Sequence, residues 1–435
     1  MRHGSATWRN WAGTYSVTPA RLCHPVTPDE VVAEVRRAAR DELSVKAVGA
    51  GYSATDIALT RGVMLDLTGL TGIISVEKRS GLVTVAAGTT LRELGRALWD
   101  LGLSLSCMGN LDSATIAGAI ATGTHGTGRR FGGLASQVRG LQLVTADGQL
   151  LECSAEQHPE LFAAARVSLG ALGIVTAVTL QCEPAFALHS VAAPADYEDL
   201  FEVLARLELQ DHFEFLWFPH TRRVLTVVQT RLPADTALQP MSPLRAWYDD
   251  KILGGAFSAM NRLSAAWPNI TGKVNRMATR ALPERSYTDR AYRMVPSAHR
   301  VVFRQMEYAV PRASLAHVLD ALDDWLQRSG EQITFPVEVR LTAADNIPLS
   351  PAFGRPTCYV TAHQYHRRQH DEYFAAFEAI AREVDGRPHW GKLHYRTAED
   401  LAPVYPLFDE FLAVRDAYDP DRRFGNDYLR RVLGS

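Results

Sequence analysis

The sequence predicts a mixed α+β fold, and three observations carry that expectation. Short β-rich runs lie between glycines in the first third, amphipathic helical runs recur along the whole chain, and the two alternate without an internal repeat. The 435 residues are 46% apolar and 22% charged, enough to bury a core in two or more domains. The net charge of -2 is no basic excess. Composition therefore gives nucleic acid or an anionic membrane surface no electrostatic support, and a small-molecule partner is expected.

The N-terminal MRHGSATWRNWAGTYS is too polar for a secretory signal, and no apolar run reaches membrane length, so a cytosolic protein is expected. The five cysteines (Cys23, Cys107, Cys153, Cys182, Cys358) are odd in number and lack CxxC spacing. Reduced, buried thiols are expected rather than a disulfide framework or a zinc ribbon.

Taken in order, the spacing predicts a helix over Thr27–Arg40, with Pro28, Asp29 and Glu30 in its first turn and Val31, Val32, Val35 and Ala38 at helical spacing. A strand follows over Ser44–Val48, then GVMLDL, GIISVEK and LVTVAAG, then a helix over Thr90–Leu101. After Pro184 come helical DYEDLFEVLARLEL and the strands HFEFLWF and VLTVVQT. Pro233 to Pro283, with prolines at 240, 243 and 268, reads as an irregular lid or surface linker. Order returns with VVFRQMEYAV, helical SLAHVLDALDDWLQRSG, strands TFPVEVRL and TCYVTAHQ, and helical DEYFAAFEAIAREV.

Two glycine-rich loops suggest a phosphate-bearing ligand. VGAGYSATD follows a strand, where bare backbone amides can cradle phosphate oxygens. It also fits GxGxxA with Asp66 downstream, the pattern of a Rossmann site. Only about eight residues separate Ser53 from Arg61-Gly62, however, too few for the crossover helix that site needs. AGAIATGTHGTG, from Ala117 to Gly128, is the second loop, and SLGALGIV, from Ser168 to Val175, brings glycines before a β-branched strand.

Together VGAGYSATDIALTRGVMLDL, ATGTHGTG and SLGALGIVTAVTL resemble the FAD domain of the aldonolactone oxidoreductases, in the vanillyl-alcohol-oxidase superfamily. The resemblance continues through HFEFLWFP, MEYAVP, FPVEVRL, GRPHWGKLHY and DPDRRFGNDYLRRVLG, nearly the whole chain. It implies a PCMH-type FAD-binding domain of two α+β subdomains over residues 1–184, an α+β cap over 185–410 that includes 233–283, and a segment 411–435 returning to the FAD domain. It implies that the pyrophosphate meets Gly49, Ala50, Gly51, Ser53 and Thr55. Gly118, Thr122, Gly123, His125 and Gly128 would line FAD from the second loop, and Gly173, Ile174 and Val175 from the third. Tyr52 stands where many members carry the histidine that bonds covalently to flavin, so noncovalent FAD is expected; Tyr52 itself or Cys107 is a remote candidate for an unusual link. Gly109 is placed near the flavin face where oxygen would approach.

The strand Thr334–Leu341 puts Glu338 and Arg340 on one face and Val337, Val339 and Leu341 on the other. Alone, the pair reads as a solvent-facing ion pair on a half-buried strand. The resemblance instead turns it to the substrate, Glu338 orienting or deprotonating the hydroxyl and Arg340 binding its oxygens. It points Lys392 at flavin or substrate oxygens, and it implies substrate contact at Asn110. Thr361 and His363 share a strand face and border the same pocket.

The implied reaction is oxidation of a carbinol in a sugar-derived lactone by hydride transfer to flavin N5, with oxygen or another acceptor taking the electrons. An alditol, or a substrate of secondary metabolism, is the alternative. A rival reading, a metal-dependent hydrolase built on His363, His366, His370, His389 and His394, lacks a spacing that fixes a coordination geometry.

Overall fold

Thr27 starts the first long helix. Its hydroxyl accepts from the Glu30 amide at 3.3 Å, Pro28 fills the first turn, and Asp29 and Glu30 face the positive end of the helix. The computed structural model describes residues 7–435 apart from 110, 248–250, 253, 281 and 295–300, and leaves the side chains of 203 and 246 undescribed. The helix Pro28–Arg40 buries Val31, Val35 and Ala38 in a core with Val45, Val63 and Leu65. Those last three belong to a parallel sheet of Arg21–Cys23, Val63–Asp66 and Val45–Val48, in that spatial order. No helix occurs between Val48 and Val63. The short spacing had excluded a Rossmann crossover, and the first glycine loop is held directly between two parallel strands.

A second, antiparallel sheet orders Leu150–Ser154, Val138–Val144, Ile174–Gln181, Leu82–Ala86 and Ile73–Glu77. The helix Leu91–Asp100 opens with a capping box between Thr90 and Glu93. It buries Leu91, Leu94 and Leu98 in a core that also takes Tyr405, Phe408 and Tyr428 from late in the chain.

The third sheet has eight antiparallel strands ordered Arg285–Arg290, Phe186–Asp196, Arg223–Pro233, His212–Phe218, Val337–Thr342, Thr357–Tyr365, Phe303–Pro311 and Arg387–Pro388. Residues paired across antiparallel strands share a face. The row Phe215, Val339, Val360 and Tyr308 is fully buried and packs against the helices Leu315–Ser329 and Asp371–Glu383 through Leu319, Leu322, Phe374 and Phe377. Each such side chain contributes roughly 1.5–3 kcal/mol of burial. The next row, Leu216, Glu338, Thr361 and Glu307, points the other way and is the start of the site.

The segment 233–283 differs from its expected irregularity. It carries the helices Pro243–Trp247, Gly254–Ala266 and Thr271–Arg280, with a 3-10 turn over Pro268–Ile270. Pro243 and Pro268 begin these elements, where a missing amide hydrogen costs nothing, so they mark starts rather than breaks. The strand expected from Thr334 begins at Val337, just after Pro336.

Candidate active site

Gly49 brings the first glycine loop against the second. A Cβ there would sit 2.1 Å from the Thr115 hydroxyl oxygen, so only glycine lets the loop lie on the residue that precedes the helix Ile116–Ala121. Lys46, three residues earlier on a strand, buries its ammonium on the carbonyls of Leu169 (3.4 Å), Gly170 (3.2 Å) and Phe424 (3.2 Å). It thereby ties the strand Val45–Val48 to the third glycine segment and to the C-terminal region. Burial pushes its pKa down to about 7, against the pull of Asp419.

The three glycine-rich segments form one wall of a cavity of about 540 Å³, and the eight-stranded sheet with the loop after it forms the other. Gly49, Ala50, Gly51, Tyr52, Ser53, Thr55, Gly118, Thr122, His125, Gly173, Ile174 and Val175 line the first wall; Glu338, Arg340, His363 and Lys392 line the second. Thr361 lies between Glu338 and Glu307 in register. Gly123 and Gly128 stand back from the cavity: Gly128 bridges to Thr342, and Gly123 turns the chain at φ 75° beside Pro351 and Trp390. Gly109 and Cys107 line a second cavity of about 340 Å³, which shares Glu214 with the first. Asn110 lies outside the described residues.

The sheet wall is a buried charge network. Arg340 donates from Nε and Nη2 to the two carboxylate oxygens of Glu338 at 3.1 and 2.9 Å, the fork geometry that makes such pairs strong. Glu214, its cross-strand partner, lies 3.9 Å from the guanidinium. Burial opposes the Arg340 charge, but Glu338, Glu307 and Glu214 outweigh it and raise its pKa. Burial likewise opposes ionisation of Glu338; Arg340 and then His363 hold its pKa below the ordinary value. Glu214 receives less of the guanidinium, and burial with the Glu338 charge pushes it up to about 7.

Sequence reasoning missed Glu307 and Glu214 on this wall and Lys46 on the opposite one. Glu307 is fully buried, and its carboxylate meets His125 Nε2 at 2.5 Å. His125 Nδ1 faces the Gly126 carbonyl at 3.0 Å, and the ring stacks on Tyr359 with centroids 3.4 Å apart. Burial lowers the pKa of His125 and outweighs the pull of Glu307 and of the Gly126 carbonyl. For Glu307 the balance falls the other way: His125 and His389 outweigh burial of the carboxylate and hold its pKa well below the usual range. Part of its signal was available: Glu214 and Glu307 are each the lone acid of their strand, flanked on both sides by apolar residues.

Lys392 is half-buried on the loop after His389, and burial lowers its pKa despite the pull of Glu307. The proposed histidine metal set does not assemble. His363 Nδ1 meets the Pro336 carbonyl, His366 the Val302 carbonyl and His370 the Arg304 guanidinium. Among the described residues the potential ligand cluster is instead His125, Glu307 and His389. Two of its members are already spent on each other, and His389 Nδ1 accepts the Gly391 amide at 3.0 Å.

Comparison with known proteins gives the chemistry its name. Residues 178–432 match the model of the D-arabinono-1,4-lactone oxidase family and residues 19–154 that of an FAD binding domain. An L-gulono-1,4-lactone dehydrogenase of Mycobacterium tuberculosis is 41% identical over 99% of this chain and its own full length. The L-gulonolactone oxidase of Bos taurus is 35% identical over the whole of both chains, and an alditol oxidase of Streptomyces is 31% identical over 98% of each. A cholesterol oxidase from Brevibacterium sterolicum shares the PCMH-type fold at TM-score 0.82 and 18% identity, covering 98% of this chain and 96% of its own. The cavity also suits the cofactor this family holds: glycine at 49 admits the loop, and the buried Thr55 hydroxyl has no partner among the described residues. The chain belongs to the D-arabinono-1,4-lactone oxidase family of the vanillyl-alcohol-oxidase superfamily and is an FAD-dependent oxidoreductase acting on CH–OH groups.

Proposed function

We propose that the chain oxidises the secondary carbinol beside the carbonyl of an aldono-1,4-lactone, giving a keto-lactone that tautomerises to an ascorbate-like enediol. The observation that carries this reading is the buried Glu338–Arg340 pair facing three glycine-rich segments across one cavity. In this reading residues 1–184 with 411–435 hold the cofactor and 185–410 cap it. Gly49, Ala50, Gly51, Ser53 and Thr55 hold the pyrophosphate, while Gly118, Thr122 and His125, with Gly173, Ile174 and Val175, line the rest.

Bound FAD supplies the two-electron acceptor that takes the carbinol hydrogen as hydride at N5. Arg340, kept charged by three carboxylates, grips the substrate oxygens and stabilises developing alkoxide. Glu338, kept ionised, accepts the hydroxyl proton. Lys392 adds a cation at the same wall. The Glu307–His125 pair locks the second glycine loop to the sheet, and removing one partner of such a pair costs about 3–5 kcal/mol. Electrons pass on to oxygen or another acceptor.

FAD is held without a covalent bond in this account. Tyr52 lines the cavity with its ring 5.8 Å from that of Trp11. Cys107 faces the second cavity, its thiol bonded to the Gly132 carbonyl at 3.2 Å and pushed up by burial to about 12, away from the reactive thiolate. An alditol is the second reading, favoured by the full-length similarity to the Streptomyces enzyme.

Oxygen-uptake and dye-reduction assays over aldono-1,4-lactones, alditols and free sugars separate the two readings: turnover confined to alditols would replace the first by the second, and silence on all would remove both. Glu338→Gln is expected to lower kcat by about 10²–10⁴-fold. The pH profile is expected to be a bell. Its acid limb, where Glu338 gains a proton, lies below the ordinary carboxylate value; its alkaline limb, where Lys392 loses one, lies below the ordinary lysine value. Lys392→Arg should move only the alkaline limb, to higher pH. Glu307→Ala should lower stability to denaturant by about 3–5 kcal/mol, with Glu307→Gln milder. Acid precipitation should release the flavin to the supernatant; colour kept in the washed pellet would show a covalent link.

A further inference from the structure

The second cavity lies on the same sheet face as the active one. Cross-strand register sets Arg340, Glu214, Val227, Ala192 and Arg285 in one row of that face, and His212, Gln229, Ser190 and Tyr287 in the next. The first row therefore leads from the Glu338–Arg340 fork into the second cavity, which all but its first member line. Among the described residues Glu214 alone lines both cavities.

The Glu214 side chain is deep in the fold, yet 26% of it faces open space, and its carboxylate ends 3.9 Å from the Arg340 guanidinium. The charged and titratable groups around it are Arg340 and Glu338 from the neighbouring strand, Arg285 and Tyr287 from the edge strand Arg285–Arg290, and His212 from its own. Burial drives His212 down to about 4, its Nδ1 held on the Thr127 carbonyl at 2.9 Å, and burial raises Tyr287, whose hydroxyl meets Ser190. Neither ring can relay a proton near neutrality, where the Glu214 carboxyl both takes a proton and gives it up.

We infer that Glu214 is the outlet for the substrate's hydroxyl proton, taking it from Glu338 and handing it to the second cavity. The inference rests on the carbinol oxidation proposed above. There the O–H bond breaks and its electron pair forms the C=O π bond, the C–H hydrogen leaves with its own pair, and the proton binds a Glu338 oxygen. The two-point fork with Arg340 favours an ionised Glu338, so one proton shared by the two carboxyls settles on Glu214. Glu214 then loses it to solvent through the second cavity, where Gln229, Met241 and Arg285 are part-exposed. Glu338 is again the ionised base, and the proton has left without crossing the space assigned to cofactor and substrate.

The test is an anaerobic single turnover of the FAD-loaded enzyme in weak buffer, with a pH-indicator dye read beside the flavin band. Wild type should release the proton in step with bleaching. In Glu214→Gln, release should lag bleaching at least ~10-fold. Ala192→Phe, which fills the second cavity from outside the active one, should show the same lag while bleaching at the wild-type rate. In the resting holoenzyme, the infrared band of protonated carboxyls should titrate near neutrality in wild type, and that component should be missing from Glu214→Gln. Release in step with bleaching in both variants overturns the inference, and so does an infrared titration identical in wild type and Glu214→Gln. Slower reoxidation by oxygen in Ala192→Phe, with proton release still in step, also overturns it and assigns the cavity to the acceptor. Failure of every lactone and alditol to bleach wild type removes the proposed function itself, and this inference with it.

Discussion

The site depends on the buried ion pair between Glu338 and Arg340. Taking two charges out of water costs several kcal/mol per ion, and their attraction offsets this only with good geometry and further partners. Both conditions are met here. The contact is a two-point fork, and Glu214 and Glu307 add negative charge around a single guanidinium. The strands that carry these groups are fixed from behind by an apolar row, Phe215, Val339, Val360 and Tyr308, so burial on one face of the sheet holds charge in place on the other.

The consequence is a division of protonation states set by position. Glu338 faces the fork and stays ionised, while Glu214, farther from the guanidinium, sits near neutrality. Neighbouring carboxylates driven apart in this way are how one wall offers both an acceptor and a donor of protons. His125 and Glu307 solve the same problem by pairing with each other across the junction between the second glycine loop and the sheet.

What the sequence disclosed followed from local physics. The helix that starts at Thr27, the missing crossover after Gly51 and the alternation that pairs Glu338 with Arg340 are each decided within a few residues, and each is seen in the structure. Strand register is not local. Nothing within HFEFLWF or MEYAVP says that Glu214 will stand opposite Arg340, or Glu307 opposite Thr361, so those acids were passed over. The prolines at 243 and 268 were misread because a helix start and a chain break look alike without the residues they pack on.

The central claim is that the Glu338–Arg340 face promotes reduction of the bound flavin by the substrate carbinol. Anaerobic single-turnover mixing of the FAD-loaded enzyme with its lactone substrate, followed at the visible flavin band, tests it most directly. The account predicts that wild type bleaches, and that Arg340→Met, with flavin still bound one to one, bleaches roughly 10²–10³-fold more slowly at saturating substrate. Equal rates in the two proteins would contradict it.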